Sequence, residues 1–216
     1  MVQALIFDLD GVITNTSAEF HYLSWQRLAD EEGIPFSREA NHRLRGVNRM
    51  ESLKRFLNGL KITPEQEADW LRRKNAYYHE LLQQMSPADR LPGISDILDQ
   101  ARDAGIKLGV ASASRNARAV LAKLQLLDYF EVVGDAYSAV NPKPAPDLFI
   151  WVAGYLHTHI KQTIVFEDSF SGIQAALHAG FWTVGIGEDE VRHAHLRYQT
   201  LENVSLQMIL EQFEQF

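Results

Sequence analysis

The sequence predicts an α/β protein: a doubly wound, parallel-sheet, Rossmann-like core with an all-helical cap inserted into it. Three observations carry that expectation. Short apolar runs rich in Val and Ile, such as Thr163 to Phe166 and Trp182 to Ile186, do not alternate with polar residues. Strands covered on both faces read this way. From about residue 93 such runs alternate with helical patterns, as parallel strands joined by crossover helices do. Finally, a single strand precedes residues 16–86, a block of helical patterns alone. The expected division is 1–15 and 87–216 for the core and 16–86 for the cap.

Ala4 to Phe7 is the first strand, and it runs into Asp8-Leu9-Asp10-Gly11. Residues i and i+2 of an extended chain project to one side, so Asp8 and Asp10 leave the strand end together. An ordinary aspartate pKa of about 3.9 leaves Asp8 ionised at neutral pH. Paired carboxylates can bind a hard cation such as Mg²⁺, or divide the labour of nucleophile and acid/base. A lone Asp-x-Asp is more often a solvated turn, so the rest of the chain must decide.

In the cap, Ser17 to Glu32 reads as a helix closed by Gly33, with Pro35 beyond. Shorter helices are expected over Ser37 to Leu44 and Met50 to Leu60, with Arg45 to Arg49 as a loop between them. Thr63-Pro64-Glu65-Gln66 is a capping box with proline in the first turn. The helix it starts, to about Met85, carries Trp70, Leu71, Tyr77, Tyr78, Leu81, Leu82 and Met85 as its apolar stripe. Lys74 falls inside that stripe. Such a lysine snorkels to an edge or points into a polar cavity, and the helix taken alone favours the edge.

In the core, helices are expected over Gly93 to Ala104, Asn116 to Leu126, Ala145 to Leu156 and Ser171 to Ala179. A last helix is marked by Leu206, Ile209, Leu210 and Phe213. Strands are expected at Ile106 to Ala111, Glu131 to Val133, Thr163 to Phe166 and Trp182 to Ile186. Ligands of such a sheet bind at the carboxyl ends of the strands. Strand two ends in Ser112-Ala113-Ser114-Arg115-Asn116, where hydroxyls, an amide, a guanidinium and a helix start form an anion site. The third strand leads to Lys143, held between two prolines, and the fourth to Glu167-Asp168-Ser169. Each group has a bland reading as a cap or a solvated side chain. All of them falling at strand ends makes that improbable.

The bulk numbers exclude several classes. With 216 residues and a net charge of −7, at a pI near 5.6, the chain has no basic footprint for nucleic acid. It has no cysteine, which excludes disulfides, zinc thiolates and thiol catalysis. No apolar run is long enough for a membrane span, and the chain opens directly on a strand. A cytoplasmic monomer is expected. His157 with His159, and His193 with His195, lack further ligands at suitable spacing and are expected to be solvated.

Asp8-Leu9-Asp10-Gly11-Val12, Ser112, Lys143 and Glu167-Asp168-Ser169, in that order around a helical cap, resemble the four motifs of the haloacid dehalogenase-like superfamily of phosphotransferases. Cues in the cap and second motif resemble its sugar-phosphate mutases, over nearly the whole length. They are His21, Gly46 to Arg49, Arg73-Lys74-Asn75, Ser86 to Asp89, and Ala111 to Ser114.

The resemblance implies conversion of β-D-glucose 1-phosphate to glucose 6-phosphate through glucose 1,6-bisphosphate. It makes Asp8 the carrier of an aspartyl phosphate and Asp10 the general acid/base, oriented by His21. It puts Mg²⁺ on Asp8, the Asp10 carbonyl oxygen, Glu167 and Asp168. It gives the transferring phosphate to Ser112, Ala113 and Lys143, and the distal phosphate to Arg49, Ser114, Arg115 and Asn116. Lys74, Gly46 and Val47 then face the sugar. The partner implied is a small phosphorylated sugar. A phosphatase of the same superfamily is the second reading, and a silent phosphosugar-binding protein the third. The chain departs from the pattern at Asn15, where aspartate is frequent. It departs again at Thr16 to His21, one residue longer than usual, and one residue turns a helix by about 100°. Unless the hinge absorbs it, His21 misses Asp10.

Overall fold

The computed structural model describes residues 1–44, 47 and 49–214. Six parallel strands form one sheet in the order β3-β2-β1-β4-β5-β6. They are β1 (Ala4–Phe7), β2 (Lys107–Ala111), β3 (Val132–Gly134), β4 (Thr163–Glu167), β5 (Trp182–Ile186) and β6 (Leu196–Tyr198). β1 is central, with Phe7 in register with Val110 on one side and Phe166 on the other. The strand order reverses between β1 and β4, and a crevice opens at such a switch point beyond the carboxyl ends.

The central strand is covered on both faces. Leu5 and Phe7 pack with Ile97 and Leu98 of α5 (Ile94–Asp103), Val120 and Leu121 of α6 (Ala117–Lys123), and Ile209 of α9 (Leu206–Phe213). Ala4 and Ile6 pack with Phe149 and Val152 of α7 (Asp147–Tyr155) and Ala175 of α8 (Phe170–Ala179). This two-sided burial is why the strands read as unbroken apolar runs.

Between β1 and α5 lie the helices α1 (Thr16–Glu32), α2 (Arg38–His42), α3 (Arg49–Leu57) and α4 (Pro64–Leu82). They enclose a separate apolar cluster of Trp25, Leu28, Leu53, Phe56 and Trp70. Burying each of these large side chains is worth about 2 kcal/mol, so the helices pack on one another around a cluster of their own. The capping box forms as expected, with Thr63 Oγ1 accepting from the Gln66 amide at 3.3 Å and Gln66 Oε1 from the Thr63 amide at 2.9 Å.

Two connections join cap to core, and Asp89 binds both. Its Oδ1 accepts from Thr16 Oγ1 at 2.7 Å and its Oδ2 from the Ser86 amide at 2.8 Å. Its carbonyl accepts from Thr14 Oγ1 at 2.7 Å.

The structure corrects several expectations. β6 was not foreseen, because Leu196-Arg197-Tyr198 is a short edge strand with no buried run to announce it. α3 stops at Leu57 rather than Leu60, since Asn58 and Gly59 take positive φ. α6 ends before the positive φ of Gln125, and α4 ends at Leu82, short of Met85. His195 is half-buried rather than free in solvent: its Nδ1 lies 2.8 Å from Thr183 Oγ1 and accepts from the Thr183 amide, and its ring meets Trp182 edge-on. His157, His159 and His193 are exposed, as expected.

Candidate active site

At the switch point, β1 delivers Asp8, which is buried, and β4 ends on Glu167, also buried. Lys143, only 2% exposed, reaches between them. Its Nζ donates to Asp8 Oδ1 at 2.5 Å, to Glu167 Oε2 at 2.8 Å and to the Ala111 carbonyl at 3.0 Å. All three ammonium donors are thus used, which a buried charge requires. The other oxygen of Glu167 accepts from the Asp168 amide, the Ser169 amide and Ser169 Oγ, at 2.8 to 3.0 Å. Gly11, at φ +90°, leaves the space that the Asp168 carboxylate fills, and a Cβ there would collide with it.

Burial pushes the Asp8 carboxyl up to about 7, against the pull of Lys143. The ordinary aspartate value expected from sequence therefore does not hold. Burial alone would lower Lys143, but the Asp8 and Glu167 carboxylates raise it above the ordinary lysine range. The ammonium stays charged, with the Asp8 and Glu167 carboxyl groups as its partners.

Oxygens of Asp8, Glu167 and Asp168 lie within 4.8 Å of one another. An all-oxygen, carboxylate-rich set suits a hard divalent cation, and the acidic group fits Mg²⁺, the usual ion of proteins with these motifs. Bound there, Mg²⁺ would neutralise charge on an incoming phosphoryl group beside Asp8.

Around this centre lies a cavity of about 320 Å³. Asp8, Asp10, Ser112, Ala113, Ser114, Arg115 and Asp168 line it from the core, and His21, Trp25, Val47, Arg49, Ser52 and Lys74 from the cap. The loop after β2 is wound by its own hydroxyls: Ser112 Oγ accepts from the Ser114 amide, and Ser114 Oγ from the Asn116 amide, both at 3.1 Å. Asn116 is buried at the start of α6.

On the cap side, His21 Nε2 comes within 4.0 Å of Asp10 Oδ2 and 3.4 Å of Ser114 Oγ. The extra residue before it has not turned it away. Lys74 is 2% exposed and does not snorkel, contrary to the expectation from its helix. Its Nζ lies 2.6 Å from His21 Nδ1, above the rings of Trp25 and Tyr78. Burial, and then Arg49, hold Lys74 well below the usual lysine value. Burial, with Lys74 and Arg49, does the same to His21. One of the pair must be neutral for so short a contact. Gly46 lies outside the described residues, and Val47 is buried on the cavity wall.

Trp25 and Ser52 at the cavity, and Asn75 behind Arg49, had been given no role from sequence. Trp25 lies one turn after His21 on α1, and that spacing was the available signal. Ser52 follows Arg49 at the same kind of spacing on α3. Asn75 follows Lys74, and its Oδ1 accepts from Arg49 at 2.6 Å and from Asn116 Nδ2 at 3.3 Å.

A parallel sheet whose switch point presents an aspartate pair, a buried lysine and a roof of inserted helices defines a phosphoryl-transfer class. Residues 5–186 match the family model described as haloacid dehalogenase-like hydrolase, and the chain belongs to that family. It is 37% identical over 220 residues to the β-phosphoglucomutase of Bacillus subtilis, covering 100% of this chain and 97% of that protein. A crystal structure of β-phosphoglucomutase from Clostridium difficile superposes with a TM-score of 0.95 at 35% identity, covering 100% of this chain and 98% of that one. A phosphorylated carbohydrates phosphatase of Thermotoga maritima is 31% identical over 184 residues, 83% of this chain and 82% of the relative. Among the described residues, no helix is long and apolar enough to cross a membrane.

Proposed function

We propose that this enzyme interconverts β-D-glucose 1-phosphate and glucose 6-phosphate through glucose 1,6-bisphosphate. The observation that carries the reading is a second set of cations beside the Lys143 centre. Arg49 from the cap and Arg115 from the core line one cavity, close enough that Arg115, after burial, lowers Arg49. Among the described residues, no carboxylate pairs with either. A ligand with a phosphate at each end needs cations for both; a monophosphate hydrolase needs one set.

In this reading, the Asp8 carboxylate attacks phosphorus. The bond from phosphorus to the sugar oxygen breaks, and that oxygen takes a proton from Asp10. In the reverse direction Asp10 takes the proton of a sugar hydroxyl as its oxygen attacks the aspartyl phosphate. His21 holds Asp10. Ser112, Ala113 and Lys143 hold the transferring phosphate, and Arg49, Ser114, Arg115 and Asn116 the distal one. Lys74 and Val47 face the sugar. Asp8, the Asp10 carbonyl, Glu167 and Asp168 would hold Mg²⁺. A cap that shuts water out of the cavity keeps the aspartyl phosphate from hydrolysis, and a leaky cap makes the enzyme a phosphatase.

The test is a phosphorus NMR time course with Mg²⁺, β-glucose 1-phosphate and a trace of glucose 1,6-bisphosphate. Growth of glucose 6-phosphate with little free phosphate is expected. Asp8→Asn should abolish it, and Arg49→Ala should cripple it. Steady release of free phosphate without isomerised product would establish the phosphatase reading instead. Mutase activity retained by Arg49→Ala would overturn the two-site account.

A further inference from the structure

Tyr137 lies in the loop between β3 and Lys143 and is 70% exposed, an unusual place for a large ring. The loop around it is fixed. Asp135 Oδ1 accepts from the Tyr137 amide at 2.9 Å, Ser138 Oγ accepts from the Asp135 amide at 3.0 Å, and the Asp135 carbonyl accepts from the Ser138 amide at 2.9 Å. The ring therefore sits on a closed turn. Over its face, 4.5 Å from the centroid, stands the guanidinium carbon of Arg115.

Arg115 is exposed, and its long side chain carries up to about 2 kcal/mol of rotamer entropy. Something must restrain it if it is to meet a ligand in one geometry. A carboxylate would do so by cancelling its charge. An aromatic face does so while leaving the charge and the edge N–H donors free for an anion.

We propose that Tyr137 is a positioning residue: it holds the Arg115 guanidinium over the cavity, so that the second phosphate of a bisphosphate ligand meets a pre-set cation. This rests on the two-site reading above, and it makes Tyr137 a determinant of affinity for the distal phosphate.

The experiment measures half-saturating glucose 1,6-bisphosphate and kcat at fixed Mg²⁺ and β-glucose 1-phosphate. Tyr137→Ala and Tyr137→Leu should raise the half-saturating concentration about two- to fivefold and leave kcat nearly unchanged. Tyr137→Phe, which keeps the ring, should match the parent. In an Arg115→Ala background, Tyr137→Ala should add nothing. A rise in Arg115→Ala with none in Tyr137→Ala would overturn the proposal, as would an additive effect in the double variant. If Arg115→Ala itself causes no rise, the two-site reading has failed and this inference falls with it. If free phosphate is the product, the same comparison is read from its release, so the role of Tyr137 is judged separately from mutase activity.

Discussion

Asn75 of the cap accepts a hydrogen bond from Asn116 of the core, and the same amide oxygen accepts from Arg49. One neutral acceptor thus gathers donors from both sides of the cleft. It satisfies a guanidinium and an amide that would otherwise face each other across the cleft.

Asn75→Leu removes that acceptor and leaves a partly buried guanidinium and an amide without it. Losing a hydrogen bond to a charged group costs about 1.5–3 kcal/mol. We expect the melting temperature to fall by about 3–12 °C and the KM for the sugar phosphate to rise, because Arg49 and Asn116 lose the acceptor that sets their positions. Steady-state kinetics beside thermal denaturation separates the two. An unchanged KM would remove Asn75 from the site.

Lys74 is held well below the usual lysine value by burial and by Arg49. A lysine whose folded pKa is depressed costs stability wherever the unfolded chain is protonated, below about 10.4. That cost shrinks as pH rises from the folded value toward the unfolded one. Lys74→Met should therefore raise the melting temperature at pH 7, by about 2–4 °C for a gain of about 1 kcal/mol. The gain should be smaller at pH 9. Activity should fall at least about tenfold, because a polar group of the cavity wall is gone. A melting temperature lowered at both pH values would contradict the assignment.

Asp89 bonds both chain connections between cap and core. Its burial raises its pKa, but bonds from Thr16 and Ser86 outweigh this and hold it below the ordinary aspartate value. A depressed carboxyl stabilises above the unfolded pKa and loses that contribution as pH falls through the folded value. Asp89→Ala should cost about 1–2 kcal/mol in urea denaturation at pH 7 and less below about pH 4. An equal cost at both would argue that packing, not charge, holds the hinge.

Gly11→Ala places a methyl group against the Asp168 carboxylate and forces an L side chain into positive φ. We expect the enzyme to fold with a modest loss of about 1–2 kcal/mol. The affinity for Mg²⁺, titrated by calorimetry, should fall about tenfold or more, as it does when the support of a metal ligand is disturbed. Undiminished affinity would exclude Asp168 as a ligand.

The sequence by itself determined the central strands, the inserted helical block and which charged and polar groups stand at the strand ends. It could do so because buried strands are written as local apolar runs, and ligands gather where such runs stop. Asp8, Lys143 and Glu167 were legible for that reason. The edge strand Leu196–Tyr198 was not, since it is short and half-exposed. Nor was the raised pKa of Asp8, which depends on burial by residues far away in the chain. Only the tertiary structure decided that Lys74 turns inward onto His21, that Asn75 joins Arg49 to Asn116, and that Tyr137 lies beneath Arg115. Each of these is a pairing between separate elements, set by how the helices and loops pack on one another. Periodicity along one helix contains no information about what the facing element presents.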